Sequence, residues 1–227
     1  MIMSDARTSR PRHFKAVAAS LLLVTVAGGL SACREEKRPA PPYPAVEWQG
    51  TPPSAPIEAD PWVIAARKSL EAQAVAQNIT DFTLPELVET TALDLRVRLS
   101  RHPVNDVTQK RRPDIRPGPD PFLPMEVKPG PAAGTAEVRG CVVRWASETG
   151  DVPDEMSASG VMFRMEHLEA GQLRISSVVT LPDLDCSTAT PPIALFVPAP
   201  EPSDVTDVQD VVRAKPAEID PEYVDPE

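Results

Sequence analysis

The prolines of this chain set the limits of what can fold. There are 28 in 227 residues, and they gather in stretches. A proline has no backbone N–H and interrupts helices and central strands, so a compact body must lie mostly between the clusters. From Arg34 to Asp60 the sequence reads REEKRPAPPYPAVEWQGTPPSAPIEAD. Such a segment buries too little apolar surface to offset its chain entropy, and residues 33–59 read as a semi-extended tether of about 3.1 Å per residue. Tyr43 and Trp48 within it read as incidental exposed aromatics. Residues 198–227 hold nine acids and two bases and read as an acidic, mostly disordered tail. Val205, Val208, Val211 and Val212 in that tail have helical spacing, so a short helix there could dock on the body. The body is then 60–197.

The N-terminus carries an address. Residues 1–32 hold four bases and one acid, and Ala16–Leu30 is uncharged. That run is shorter than the roughly 20 apolar residues a membrane span needs. A basic start, a short apolar run and small residues ahead of a cut mark a secretory signal peptide. The run ends in Leu30-Ser31-Ala32-Cys33, which resembles the lipobox of bacterial lipoproteins. The resemblance implies that the Cys33 thiol receives a diacylglyceryl group and that residues 1–32 are removed. An ordinary secretory signal, or a cysteine that merely follows an apolar helix, are the other readings. Two acyl chains hold a protein stably on a bilayer, so the implied location is the outer face of the cell membrane, with the membrane as a partner through lipid on Cys33.

The net charge is −10. Without residues 1–32, whose net charge is +3, the rest carries −13. That surface argues against nucleic acid as a partner. With Cys33 taken by lipid, Cys141 and Cys186 remain, and an exported chain in an oxidising compartment makes a disulfide the default for such a pair. A free buried pair or a metal site are the alternatives. Their spacing fits no zinc pattern.

Within the body, Asp60 and Pro61 form a helix start, and Val63, Ala66, Leu70 and Ala74 fall on one stripe behind it. A second helix is expected from TLPELVETT, with Thr83 and Glu86 at capping-box spacing. Residues 92–100 alternate, with Leu93, Leu95, Val97 and Leu99 on one side, which is a strand period. Leucine and arginine also suit a helix there. Ser100–Pro121 reads as a long loop with a basic cluster at Lys110, Arg111, Arg112 and Arg116. That cluster could meet anionic lipid, wall polymer or the acidic tail. Strands are expected at FLPMEV, TAEVRGCVVRW, SGVMFRMEHL and GQLRISSVVTL, the last two joined by a hairpin at Glu169-Ala170-Gly171. IALFV would add an edge strand. Two helices and then an antiparallel sheet give an α+β fold with helices on one face of a curved sheet.

That order resembles the NTF2-like or SnoaL-like cone found in exported actinobacterial lipoproteins, which implies a pocket between helices and sheet. Cys141 and Cys186 look like the cysteine pair of those sheets. In such a cone Trp62, Phe82, Trp145 and Phe163 would line the pocket or fill the core. The residues themselves show no acid–base set: His102 and His167 lack partners in sequence, and no phosphate loop, nucleophile elbow or metal spacing occurs. Glu148, Asp151, Asp154 and Glu155, like Asp183 and Asp185, read as solvated turn charges. The expected function is therefore a non-enzymatic envelope module that binds an envelope protein or an apolar ligand without a cofactor. A SnoaL-like enzyme with a small-molecule pocket is the alternative.

Overall fold

A computed structural model describes residues 43–169 and 171–214. The fold is α+β: three helices and a four-stranded antiparallel sheet, with a separate two-stranded ribbon.

Helix α1 spans Pro61–Ile79. The Asp60 side chain accepts a hydrogen bond from the Trp62 N–H at 2.8 Å, so the cap read from the sequence is present. Thr80, in the left-handed region at φ 55°, ends the helix. The expected stripe of Val63, Ala66, Leu70 and Ala74 is buried, and so are Ala65, Ala72, Val75 and Ala76. The reason is that α1 serves two apolar clusters. Val63, Ala65, Ala66 and Leu70 meet the sheet, while Ala72, Ala74, Val75 and Ala76 meet Phe82, Leu84, Leu87 and Phe196.

Helix α2, Pro85–Thr90, begins after Leu84 without a side-chain cap. Thr83 instead turns back, its N–H and hydroxyl both donating to Asp81 Oδ1, so the expected capping box is replaced by an Asx turn. Helix α3 spans Leu93–Thr108. It settles the ambiguity at 92–100 and replaces the first part of the expected loop. Leu95, Arg96, Ser100, Pro103 and Val107 are its buried residues, a helical spacing. Among residues 93–99 only Val97 is β-branched, and leucine and arginine rank high as helix formers. Pro103 sits inside this helix and removes one backbone bond.

The main sheet has the order β2-β3-β4-β5, from Phe122–Pro129, Thr135–Val142, Ser159–His167 and Leu173–Thr180. All pairs are antiparallel. Phe122, Val138, Val161, Phe163, Met165 and Ile175 face the helices as the principal core. The other face is charged, with ion pairs Arg139–Glu137 at 2.6 Å and Lys128–Glu126 at 2.9 Å. The β4–β5 hairpin turns at Gly171, φ 82°, as its sequence implied.

Two boundaries differ from the sequence reading. The segment expected to be tether contributes β1, Ala45–Trp48, and a 3-10 turn, Pro56–Ala59. Strand β6, Ala194–Val197, joins β1 and not the main sheet. The ribbon forms because Val46 and Trp48 alternate with Ala45 and Glu47, a strand pattern that the flanking prolines hide. The first part of the tail is likewise built in. Val208–Asp210 is a 3-10 turn rather than a helix, Val211 is buried in the second cluster, and Val212 exchanges backbone bonds with Thr80 and Phe82. The segment beyond Lys215, expected to be disordered, lies outside the described residues, as does Cys33.

Candidate functional site

The four aromatic candidates do not converge. Phe163 packs edge-on against Phe122, ring centroids 5.1 Å apart, inside the principal core. Trp62 leans on the same cluster from its rim. Phe82 belongs to the second cluster. Trp145 is buried elsewhere and donates its indole N–H to the Gly118 carbonyl at 3.1 Å. The helix–sheet layout implied by the cone resemblance is present, but among the described residues these four line no common cavity.

Cys141, in β3, and Cys186, beyond β5, are joined, with Cα atoms 5.7 Å apart. The bond holds Leu181–Cys186 against the charged face of the sheet, where the Leu181 N–H donates to the Gly160 carbonyl at 2.8 Å. A side chain at Gly160 would collide with Leu181 and Leu184. His102 and His167 are exposed, as are Glu148, Asp151, Asp154 and Glu155. Asp183 and Asp185 are exposed too, and hydrogen bonds from Ser187 hold the Asp185 carboxyl below its ordinary range. Among the described residues no three His, Cys, Asp or Glu side chains are grouped to hold a metal ion.

What the fold does assemble is a small cleft between the ribbon, α1 and the turn at Pro119–Pro121. Val46, Trp48, Arg67, Leu70, Glu71 and Asp120 are among its walls, and its volume is ≈ 50 Å³. Sites for whole small molecules run to roughly 300–1,000 Å³, so this one admits only the end of a side chain. A wider depression of ≈ 480 Å³ lies between Met125, Arg139 and Leu184 on the charged face.

Three charged side chains, Arg67, Glu71 and Asp120, line the cleft, and Tyr43 bonds to one of them. Arg67 is committed: it grips Glu58 through two bonds of 2.8 and 2.7 Å, donates to the Phe122 carbonyl at 3.0 Å, and lies over the Trp48 ring at 5.3 Å. Burial pushes the Glu71 carboxyl above its usual range, against the opposing pull of Lys68 and of the Tyr43 hydroxyl bonded to it. Burial, then Glu71 and Glu86, hold the Tyr43 phenol well above its ordinary value. Burial also raises Asp120, against Arg116 first and Arg144 second.

Arg116, read from the sequence as part of a basic surface cluster, is a buttress. Its guanidinium reaches Asp120 at 2.6 Å, the Trp145 carbonyl at 3.0 Å and Gln77 at 2.5 Å. Its backbone is held from both sides by the Asn78 amide, at 2.9 and 2.8 Å. The neighbouring Pro117 carbonyl then accepts the Phe196 N–H at 2.9 Å, which seats the ribbon. Lys110, Arg111 and Arg112 stay exposed. Sequence reasoning missed Arg67 and Glu71 and misread Arg116, which pairs with Asp120 only four residues on but whose bonds to Gln77, Asn78 and the Trp145 carbonyl are distant in sequence.

No protein family and no curated protein matches this chain. A solved structure, a de novo β-sheet design protein determined by solution NMR, aligns with 54% of this chain and 92% of its own length, at 16% identity and a TM-score of 0.26.

Proposed function

We propose that this chain is a lipid-anchored extracytoplasmic lipoprotein whose folded body is a non-enzymatic module that binds a partner through its surface. The anchor rests on Leu30-Ser31-Ala32-Cys33 and the basic, apolar sequence ahead of it. The observation that carries the binding reading is the filled interior. Val63, Leu70, Phe122, Val138, Phe163 and Met165 occupy the space between helices and sheet, where a cone enzyme would keep its pocket and its acid–base pair. A surface of net negative charge, with a narrow cleft that fits one side-chain end and an open depression on the charged face of the sheet, suits a protein partner.

Expression of the wild type and Cys33→Ala in a bacterial host tests the anchor. The wild type should fractionate with membranes, and mass spectrometry should find diacylglyceryl on an N-terminal Cys33. The variant should leave the membrane or remain an uncut precursor. A variant processed and membrane-bound like the wild type would refute the anchor.

A further inference from the structure

Among the described residues, strand β1 is bonded on one side only. Its register with β6 places Val46 opposite Phe196 and Trp48 opposite Ala194. The Gln49 N–H donates to the Ile193 carbonyl at 2.9 Å, so that position is a hydrogen-bonded pair. Antiparallel ladders alternate bonded and non-bonded pairs. Ala45 and Glu47 therefore bond toward β6, and the N–H and C=O groups of Val46 and Trp48 point away from it. Phe196 confirms the alternation from the other strand, because it sends its N–H outward to Pro117. Strand β6 is thus engaged on both sides. Among the described residues, nothing bonds the outward backbone groups of Val46 and Trp48. Buried backbone groups without partners are rare, and Ala45 and Glu47 on this strand are exposed, so among the described residues the edge is open.

Sheet edges are normally blunted by proline, charge, a bulge or a cover. Strand β2 has Pro124, Pro129 and a register shift at Met125. Strand β5 has the Ala92 N–H bonded to its Ile175 carbonyl. Within Ala45–Trp48 the edge carries one charge, the exposed Glu47, but no proline or bulge, and among the described residues no cover. Beyond it, Pro44 offers a carbonyl but no N–H, and Gly50 turns the chain away at φ 93°. The edge can therefore bond a strand of about four or five residues.

We propose that this edge takes up an extended segment of a partner protein, and that a lysine or arginine of that segment enters the adjoining cleft. The proposal rests on the binding-module reading above and names its surface. In strand addition the backbone supplies affinity and side-chain pockets supply selectivity. Val46 and Trp48 line both the edge and the cleft, so alternate side chains of an added strand lie over the cleft mouth. The walls there are apolar apart from Glu71, Asp120 and Arg67. Arg67 is already bound to Glu58, and Asp120 to Arg116. Among the described residues Glu71 has the Tyr43 hydroxyl bonded to it and Lys68 nearby, and it lines the cleft, so a cationic tip entering there meets a carboxylate that no guanidinium grips. The chain's own residues 216–227 are a poor fit, since they hold five acids, three prolines and no base.

Amide hydrogen exchange of the full chain, followed by NMR, tests this with two blocked peptides, acetyl-Thr-Val-Lys-Val-Thr-amide and the same peptide with Glu at its centre. At millimolar concentration the Lys peptide should slow exchange at Val46 and Trp48 at least tenfold, and the Glu peptide should not. Val46→Pro removes one outward N–H and none of the bonds to β6, and should abolish the effect. Glu71→Gln should erase the preference for Lys. If Val46→Pro fails to fold, the contrast between peptides at Trp48 in the wild type decides. Equal protection by both peptides would overturn the cationic selection. Protection that appears without peptide as protein concentration rises would assign the edge to a second copy and overturn the proposal. Peptide shifts elsewhere on the body, with Val46 and Trp48 unprotected, would overturn the edge while keeping the binding reading. No shifts anywhere would count against both.

Discussion

Replacing Arg116 by alanine should be among the most damaging single changes in this body, and the damage should depend on pH. The side chains of Arg116 and Asp120 are only 17% and 12% exposed. Removing one partner of a buried ion pair leaves the other charge uncompensated, at a cost of about 3–5 kcal/mol. The Arg116 bonds to Gln77 and the Trp145 carbonyl are lost as well, which offsets the relief that the partial exposure of the pair provides. Burial already raises Asp120 in the wild type and Arg116 opposes it, so in Arg116→Ala its folded-state pKa rises further. Above that pKa the deficit is fully present. As pH falls through it, the folded variant takes up a proton and the deficit shrinks. Urea unfolding of the wild type, Arg116→Ala, Asp120→Asn and the double variant, at pH 7 and pH 4.5, measures this. The double variant should recover at least half of the loss at pH 7 through a coupling of more than about 1 kcal/mol. A loss below about 1 kcal/mol, or strictly additive single effects, would refute the buttress.

Two further outcomes follow from the same geometry. Replacing Cys141 and Cys186 together by alanine opens a sequence separation of 45 residues, and unfolding free energy should fall by up to about 4 kcal/mol on the chain-entropy model, read from urea midpoints with and without reductant. The Tyr43 phenol has a raised folded-state pKa. Its stabilising contribution is therefore complete below the unfolded tyrosine pKa of about 10 and is lost as pH rises toward the folded value. Tyr43→Phe should lose less stability than the wild type between pH 8 and pH 10.5 in the same unfolding assay.

The parts of this fold that the sequence made legible are those set by local pattern. Asp60 and Pro61 announce α1 because a cap and a first-turn proline act within one turn. The hairpin at Gly171 and the alternation of β3 to β5 are local in the same way. The errors arise where distant contacts override a local cue. Alternating leucine and arginine in Leu93–Leu99 mimics a strand, yet Arg96, Ser100, Pro103 and Val107 acquire a buried side only through contacts that α3 makes elsewhere. Ala45–Trp48 is a four-residue strand among prolines, and its partner lies at the other end of the body. The cleft was illegible for that reason. Trp48, Arg67, Glu71 and Asp120 come from three separated segments, and nothing in their spacing says that they meet. Arg116 looked like one more surface cation because its partners Asn78 and Trp145 are distant in sequence.

The pairing of β1 with β6 joins Ala45 to Val197, and Val211 completes the cluster that contains Phe82 and Leu87. The fold therefore closes from its end. At about 5–20 residues per second, roughly 8–30 s of synthesis separate the first ribbon strand from the second. During that interval α1 lacks the cover for one of its two buried sides. Pairings this distant in sequence also form slowly. On the exported reading, that delay keeps the chain open while it is threaded across a membrane, and makes emergence of its last strand and tail the event that commits it to the folded state.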